Sequence, residues 1–569
     1  MHDLVIRGGT ILDGTGGPRF AGDVAIDGAR IAAVGGVAAG GRREIDAAGL
    51  LVAPGLVDVH THYDGQVTWD PWLTPSCWHG VTTVVMGNCG VGFAPVRPQQ
   101  REMLIQLMEG VEDIPGTALH EGIAWEWETF PEYLDALAKR RFAIDVAAQV
   151  PHAALRTYAM GDRGAEHREV PTPDEIACMA QLVGEALAAG ALGFSSSRTV
   201  NHRSSDGRHT PSLTASRDEL VGIARGLGAA GRGVFEMVAD FADLEAEFAL
   251  LREMVEVSGR PMSITTLQDD ARPEQWRRLL ALLATAARAG LPMRGQVAAR
   301  PVGVCLGLSA TLHPFITHPS FQAVAGLPLQ EQVRRLRDPE LRRRILAEES
   351  APAFAMLGRN FERLFELGDP PDYEPAPEKS LAARARAAGV APAELSYDLL
   401  LQDEGRALLY RPVMNFAAGD CEVVREMLLH ERTVPGLGDA GAHVGLISDG
   451  SFPTYLLTHW ARDRRRGERL PLEWLVRRQS ADTAALVGLE DRGRLAPGLR
   501  ADVNLIDWDA LAVRPPEIVH DLPAGGRRLV QRARGWVKTL VAGEVVLEDG
   551  EPTGALPGRL VRGAQLAPR

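Results

Sequence analysis

The fold is decided by the stretch Gly55-Leu56-Val57-Asp58-Val59-His60-Thr61-His62-Tyr63-Asp64. Its apolar first half predicts a buried strand, and alternation along a strand points His60 and His62 to the same face, about 6–7 Å apart. Imidazole nitrogen is a good ligand for zinc and its transition-metal neighbours, so two such rings can converge on one metal ion. A His-x-His pair alone is equally typical of solvated turns, and its interpretation depends on the rest of the chain.

Both ends of the chain are rich in short β-branched runs that close in Asp-Gly or Gly-Gly turns, which is typical of hairpins. These runs lie at 3–14, 22–35, 501–507, 536–543 and 544–550. Two β-rich ends that flank a long middle predict that the termini meet. We therefore expect one small β-sandwich domain, built from residues 1–57 and 489–569.

Apolar strand candidates alternate with amphipathic helices through the middle of the chain. After the strand at His60, the strands are predicted at 82–86, 143–150, 192–195, 233–238, 261–266, 293–297 and 434–439. Helices are predicted at 174–189, 217–230, 241–257 and 272–289. Eight strands in this order favour an α/β fold with a TIM-like (β/α)₈ barrel over residues 58–488.

Three segments fall outside this alternation. Residues 97–142 and 315–400 exceed ordinary loop length and are predicted to be insertions over the mouth of the barrel, where long insertions often act as lids. Residues 401–416 are expected to close the barrel before its last strand.

Composition restricts the class of partner. The chain has 569 residues, a net charge of -13 and a pI near 5.7, which argues against nucleic acid as a partner because phosphate binding needs a basic surface. The basic run 462–466 has no interleaved aromatic residue and is predicted to be a solvated helix face. With neither a leader segment nor an apolar run of membrane-spanning length, we expect a cytoplasmic protein without membrane contact; a homo-oligomer stays open.

The five cysteines are too scattered for a disulfide framework. Cys77, Cys178, Cys305 and Cys421 are expected to be small buried hydrophobic residues.

Three stretches together resemble one known family. They are Gly55 to His62, then Gly80-Val81-Thr82-Thr83-Val84-Val85-Met86-Gly87-Asn88-Cys89-Gly90-Val91-Gly92-Phe93-Ala94-Pro95, then Gly498-Leu499-Arg500-Ala501-Asp502. The chain is similar along its whole length to the N-acyl-D-amino-acid deacylase branch of the amidohydrolase superfamily, and Gly-Asn-Cys-Gly at a strand end is the most specific element. The resemblance implies a terminal β-sandwich, a metal-bearing barrel and hydrolysis of an acyl-amide bond.

The resemblance also implies a set of metal ligands. Relatives use a cysteine that corresponds to Cys89 and an aspartate that corresponds to Asp439, and the aspartate acts as the general base. Many amidohydrolases instead use a carboxylated lysine, but the only lysines here are Lys139, Lys379 and Lys538, outside the predicted barrel strands. The ligand role is therefore left to Cys89.

The chain departs from its relatives at two strands. Relatives supply one histidine each from the fifth and sixth strands, whereas the corresponding segments 235–240 and 263–268 contain none. We expect one divalent metal ion, with zinc as the first candidate, bound by His60, His62, Cys89 and Asp439. Three further residues, Glu236, His443 and His202, are available to complete its shell.

Four residues are candidate substrate contacts: Tyr63, Arg198, His202 and Arg300. A guanidinium fork matches a carboxylate, so Arg198 or Arg300 could hold a substrate carboxylate. The predicted activity is attack of metal-bound hydroxide on the amide of an N-acylated, D or similar amino acid, because bound zinc lowers the pKa of its water to about 7. The alternatives are hydrolysis of a cyclic amide, ester or peptide on the same fold, or an inactive ligand-binding or assembly homologue.

Overall fold

A curled sheet of eight parallel strands forms the centre of the protein. The computed structural model describes residues 1–349, 351 and 358–568. The strands are Leu56–Asp58, Val81–Met86, Asp145–Pro151, Gly193–Arg198, Val234–Ala239, Met262–Thr265, Met293–Val297 and Thr433–Pro435. Each pairs in parallel with the next along the chain, so all eight predicted barrel strands and their order are confirmed.

The first and last strands of this sheet meet just beyond their carboxyl ends. The amide of Asp439 donates to the carbonyl of His60 at 3.1 Å, and the amide of His62 donates to that of Ala440 at 2.8 Å. A parallel bridge joins Thr61 to Ala440 between these bonds. The sheet is therefore closed at the end where the predicted ligands lie.

Helices cover the outside of the sheet. The four predicted helices are confirmed at Pro173–Ala189, Arg217–Ala230, Leu244–Ser258 and Gln275–Arg288. The first three begin after Thr172, Ser216 and Asp243, whose side chains accept from backbone amides of the first turn. Further helices lie at Arg101–Glu112, Gly116–Gly122, Phe130–Ala138, His152–Met160, Glu422–Leu429, Phe452–Thr458, Leu472–Arg477 and Thr483–Leu486. In the part of the chain described, no helix is long and apolar enough to cross a membrane.

The two ends of the chain share a nine-stranded sheet. Its strands are His2–Ile11, Phe20–Asp27, Arg30–Gly35, Gly41–Asp46, Leu51–Pro54, Val503–Ile506, Trp536–Val541, Glu544–Glu548 and Glu551–Pro552. Leu51–Pro54 and Val503–Ile506 are antiparallel neighbours, so this pair joins the N-terminal half of the sheet to the C-terminal half. The termini thus meet, while the domain boundaries at 57/58 and 488/489 stay a prediction.

Both predicted insertions carry helices. The first contains the three helices between Arg101 and Ala138, and the second contains Pro319–Gln322, Leu329–Leu336, Pro339–Ala347, Leu381–Ala388 and Pro392–Leu400. Residues 350 and 352–357 of the second insertion lie outside the described residues. The second insertion has a hydrophobic cluster of its own, which includes Phe315, Leu336, Ile345 and Leu400.

The expectation that residues 401–416 close the barrel is wrong. Leu409–Met414 pairs antiparallel with Val302–Leu306 and with Phe365–Glu366 in a separate three-stranded sheet. Barrel closure needs no further strand, because the ends of the first and eighth strands bond to each other directly.

Candidate metal centre

Two strand ends bring three metal-binding side chains together. His60 and His62 follow the first barrel strand and Cys89 follows the second, and one ligand atom from each lies within 4.8 Å of the others. His60 Nε2 lies 3.2 Å from Cys89 Sγ. The three side chains are buried, and the two imidazole rings lie 5.5 Å apart, edge to face. The strand alternation predicted for the histidine pair thus places both rings on one site.

Asp439 lies between the two imidazoles. Its Oδ1 is 3.3 Å from His60 Nε2 and 3.5 Å from His62 Nε2. Zinc bonds of about 2.0–2.3 Å in a tetrahedron place neighbouring ligand atoms about 3.3–3.7 Å apart. The measured separations, with a nitrogen, oxygen and sulfur donor set, therefore fit a zinc ion. The Asp439 side chain is 19% exposed against 1% for each histidine, so Asp439 borders the open side.

The backbone holds Cys89 and Asp439 in the left-handed region, with φ angles of 53° and 43°. Such a conformation costs about 1–3 kcal/mol for a residue other than glycine and persists where surrounding bonds fix it. The amide of Cys89 donates to Glu236 Oε2 at 2.8 Å. The amide of Asp439 is tied to the carbonyl of His60. These bonds aim both side chains at the histidines.

A hydrogen-bonded chain sets the orientation of His60. His60 Nδ1 lies 2.9 Å from Gln296 Oε1, and Gln296 Nε2 donates to Ser263 Oγ at 2.8 Å. Since the amide oxygen of Gln296 accepts, Nδ1 carries the proton and Nε2 keeps its lone pair for a metal. The sixth strand, which contains no histidine, contributes Ser263 to this chain.

Glu236 of the fifth strand lies behind Cys89. Its Oε2 accepts from the Cys89 amide, while Oε1 lies 3.9 Å from His60 Nδ1 and has no hydrogen-bond partner among the described residues. Burial raises the pKa of Glu236 to about 7, against the opposing effect of His60. The measured contacts of Glu236 are with the Cys89 amide and His60 Nδ1, so its place in the metal shell stays a prediction.

Glu112, which the sequence analysis missed, lies beside His62. Glu112 Oε1 is 3.2 Å from His62 Nδ1, and Oε2 is 3.7 Å from Nε2 of His443. Glu112 ends a helix whose buried face includes Leu104, Met108 and Val111. A carboxylate on the apolar face of an amphipathic helix was the signal available in the sequence.

Burial and neighbouring charges shift the pKa values of the predicted ligands. Burial acts to raise the pKa of Asp439, but its hydrogen bond with His62 and the charges of His60, His62 and His443 hold that pKa well below its usual value. Burial lowers the pKa of His62 to about 4. Burial and nearby carboxylates raise the pKa of the Cys89 thiol. A neutral His62 and an ionised Asp439 are ready ligands, whereas Cys89 needs a cation beside it to ionise.

The structure gives the predicted substrate-binding arginines other partners. Arg198 pairs with Glu247 and donates to the carbonyl of Ala215 at 2.7 Å. Arg300 is 1% exposed and lies 2.9 Å from Asp449, with its guanidinium over the ring of Tyr373. Because both charges are already paired, neither arginine is a free carboxylate receptor here.

Tyr63 and His202, the other two predicted substrate contacts, also have hydrogen-bond partners within the protein. Tyr63 is fully buried and its hydroxyl donates to Ser76 Oγ at 2.8 Å, so its contact with a substrate stays a prediction. His202 is half-buried, with Nδ1 2.8 Å from Ser197 Oγ. Burial and the charges of His443 and His62 lower the pKa of His202 to about 3.

A second group of ligand-type side chains consists of Glu374, Cys421 and His459, also within 4.8 Å. Arg464 donates to both carboxylate oxygens of Glu374, at 3.0 and 3.2 Å, and His459 lies 3.1 Å from one of them. A fixed guanidinium that already neutralises the carboxylate makes this group a salt-bridge network rather than a cation site.

Two predictions, one about the basic run 462–466 and one about Cys178, are wrong. Arg464 is 1% exposed, so the run 462–466 is not a solvated face throughout. Cys178 is exposed on the Pro173–Ala189 helix, whereas Cys77, Cys305 and Cys421 are buried as expected.

An eight-stranded parallel sheet with histidine, cysteine and carboxylate side chains at its carboxyl ends is typical of metal-dependent hydrolases built on barrels. The chain belongs to the amidohydrolase family, whose profile matches residues 43–547. It is 30% identical over 567 residues to the D-aminoacylase of Alcaligenes xylosoxydans xylosoxydans, a match that covers 98% of this chain and 97% of the relative.

Two solved structures extend the comparison. One is a D-aminoacylase with a binuclear metal centre, described by one-metal activation and second-metal attenuation; its TM-score is 0.66 at 26% identity, over 99% of this chain and 100% of that chain. The other is N-acyl-D-glutamate deacylase from Bordetella bronchiseptica, bound to zinc and a phosphonate mimic of the tetrahedral intermediate. Its TM-score is 0.64 at 25% identity, over 99% of each chain.

Proposed function

We propose that this protein hydrolyses the amide bond of an N-acyl-D-amino acid with one divalent metal, zinc, on His60, His62, Cys89 and Asp439. The observation that carries the proposal is the convergence of these side chains: ligand atoms of His60, His62 and Cys89 lie within 4.8 Å of one another, and Asp439 Oδ1 lies 3.3 and 3.5 Å from the two imidazole Nε2 atoms. The D configuration is taken from the relatives, which are named for D-amino-acid substrates.

When bound, a divalent metal supplies an activated water and polarises the amide oxygen. Asp439 then serves as the general base. It is the most exposed of the four ligands, and its carboxylate is ionised at neutral pH, the form that can accept a proton. The same carboxyl can return that proton to the departing amine.

One metal, rather than two, follows from the fifth and sixth strands. They supply Glu236 and Ser263, and Ser263 Oγ is occupied by Gln296. Glu236 offers a single free oxygen, which can complete the shell of one ion but cannot hold a second. Activation by one metal in the related D-aminoacylase is compatible with this arrangement.

Because Arg198 and Arg300 are already paired, His202 stays the proposed contact for the substrate carboxylate, as a neutral hydrogen-bonding group. The cytoplasmic location and a homo-oligomer stay predictions.

The proposal is tested by assaying protein of defined zinc content on a panel of substrates. The protein is stripped with a chelator, given one equivalent of zinc and assayed on N-acetyl-D- and N-acetyl-L-amino acids, cyclic amides and esters. We expect one zinc per chain and turnover of the D compounds, and loss of both in His60→Ala. Zinc stoichiometry near zero, or turnover of cyclic amides alone, contradicts the proposal.

A further inference from the structure

Glu112 is a buried carboxylate whose two oxygens face His62 and His443. Its side chain is 1% exposed. Oε1 lies 3.2 Å from His62 Nδ1, and Oε2 lies 3.7 Å from His443 Nε2. Within the described residues, neither carboxylate oxygen nor His62 Nδ1 makes a regular hydrogen bond. Burying a charge without partners is unfavourable, so a carboxylate at this position needs a compensating role.

The helix Arg101–Glu112 is fixed where it delivers this carboxylate. The Gln106 carbonyl accepts from the amide of Ser205 at 2.8 Å, and the Glu112 carbonyl accepts from the amide of Val444 at 3.3 Å. A Cβ on Gly110 would lie 2.2 Å from the carbonyl carbon of Ser204. The end of the helix is therefore clamped between the loop that carries His202 and the loop that carries His443.

We propose that Glu112 is a positioning residue for His62: it accepts from Nδ1–H and thereby leaves Nε2 to the metal. This inference rests on the proposed metal-binding function. A neutral imidazole has one proton, so a bond that fixes it on Nδ1 fixes the lone pair on Nε2, which faces Asp439 at 3.5 Å. Gln296 does the same for His60. The partner of His62 comes from an insertion, so the insertion is part of the metal centre as well as a cover over it.

Three variants test this role. Glu112→Ala removes the acceptor, Glu112→Gln keeps an amide oxygen that can accept from Nδ1–H, and Glu102→Gln is the matched control on the same helix, where Glu102 is 58% exposed. The zinc affinity of the chelator-stripped protein is measured by competition with a chelator, together with the Tm of the metal-free protein. We expect Glu112→Ala to weaken zinc binding about 10–100-fold. We expect a smaller loss in Glu112→Gln and none in Glu102→Gln.

The metal-free Tm separates positioning from mere packing. Because Glu112 buries a carboxyl group without regular hydrogen bonds, Glu112→Gln should leave the metal-free Tm unchanged or raise it while zinc affinity falls. Gly110→Ala, which displaces the helix end without touching the carboxylate, should weaken zinc binding in the same direction.

Zinc affinity in both Glu112 variants within twofold of the parent overturns the inference, and a lowered metal-free Tm with unchanged zinc affinity does so too. A parent protein that binds no zinc at all overturns the proposed function together with this inference, which keeps the two failures distinct.

Discussion

Cys89 is the residue at which metal binding is tested most directly, because the chain offers a matched control. Cys89→Ser replaces a thiol that can ionise beside a cation with an alcohol that stays protonated, and should weaken zinc binding at least about 100-fold. Cys178→Ser makes the same change at an exposed position and should leave zinc binding as in the parent. Equilibrium dialysis against buffered zinc measures both. Equal affinities in the two variants would remove Cys89 from the ligand set.

At the residue scale, the sequence predicts what depends on local geometry and misses what depends on tertiary partners. The i, i+2 spacing of His60 and His62 at a strand end predicts that both rings face one site, and the rest of the chain identifies that site as a metal centre. Arg198 and Arg300 were plausible carboxylate receptors until the structure paired them with Glu247 and Asp449, which lie 49 and 149 residues away in sequence. Glu112 could not be assigned, since its contact with His62 depends on how an inserted helix packs.

At the level of elements, the barrel strands were predictable because buried parallel strands are near-continuous apolar runs. The same reasoning misplaced residues 401–416. An apolar sequence predicts that a strand is buried, but it does not predict which sheet the strand joins. Leu409–Met414 pairs with Val302–Leu306, outside the barrel. Arg464 shows the same limit for a charged residue. A charged run is exposed to solvent only if the fold leaves it on the surface, whereas Arg464 is buried and pairs with Glu374 of the second insertion.

Glu374 ties the second insertion to the helical segment that includes His459. Arg464, His459 and the amide of Cys421 bond to its carboxylate, and although burial acts to raise the pKa of Glu374, these partners lower it to about 2. Glu374→Gln should reduce the free energy of unfolding at pH 7 by about 3–5 kcal/mol, because Arg464 is left buried without its main partner. Glu378→Gln, an exposed neighbour in the same loop, should have little effect.

The pH dependence of this difference has a definite sign. The pKa of Glu374 is lower in the folded than in the unfolded protein, so its stabilising effect is fully present above the unfolded value of about 4.5 and is lost as pH falls toward about 2. Urea unfolding of the parent and Glu374→Gln should therefore differ most at pH 7 and converge below pH 4.5 or so. A difference that grows as the pH falls would contradict the assignment.

For the whole molecule, the C-terminal segment fastens the terminal sheet to the barrel. Gly558 and Leu560 form bridges with Phe142 and Val146, at the start of the third barrel strand. The buried carboxylate of Asp145 in that strand accepts from Arg492 at 2.7 Å and from Arg500 at 2.9 Å. Two arginines that follow the predicted boundary at 488/489 thus converge on one barrel residue, which makes the barrel and the C-terminal half of the terminal sheet mutually dependent.

This dependence can be measured with two Asp→Asn substitutions, one at a buried position and one at an exposed position. Asp145→Asn leaves Arg492 and Arg500, 1% and 7% exposed, facing an uncharged amide, and should lower the free energy of unfolding by about 3 kcal/mol. Asp135→Asn removes a carboxylate that also pairs with an arginine of the C-terminal segment, Arg562, but Asp135 is 67% exposed. A surface pair contributes about 0–1 kcal/mol, so this control should unfold close to the parent. Thermal and urea unfolding report both changes, and an Asp145→Asn protein as stable as Asp135→Asn would show that the segment is held to the barrel by packing and not by this buried charge network.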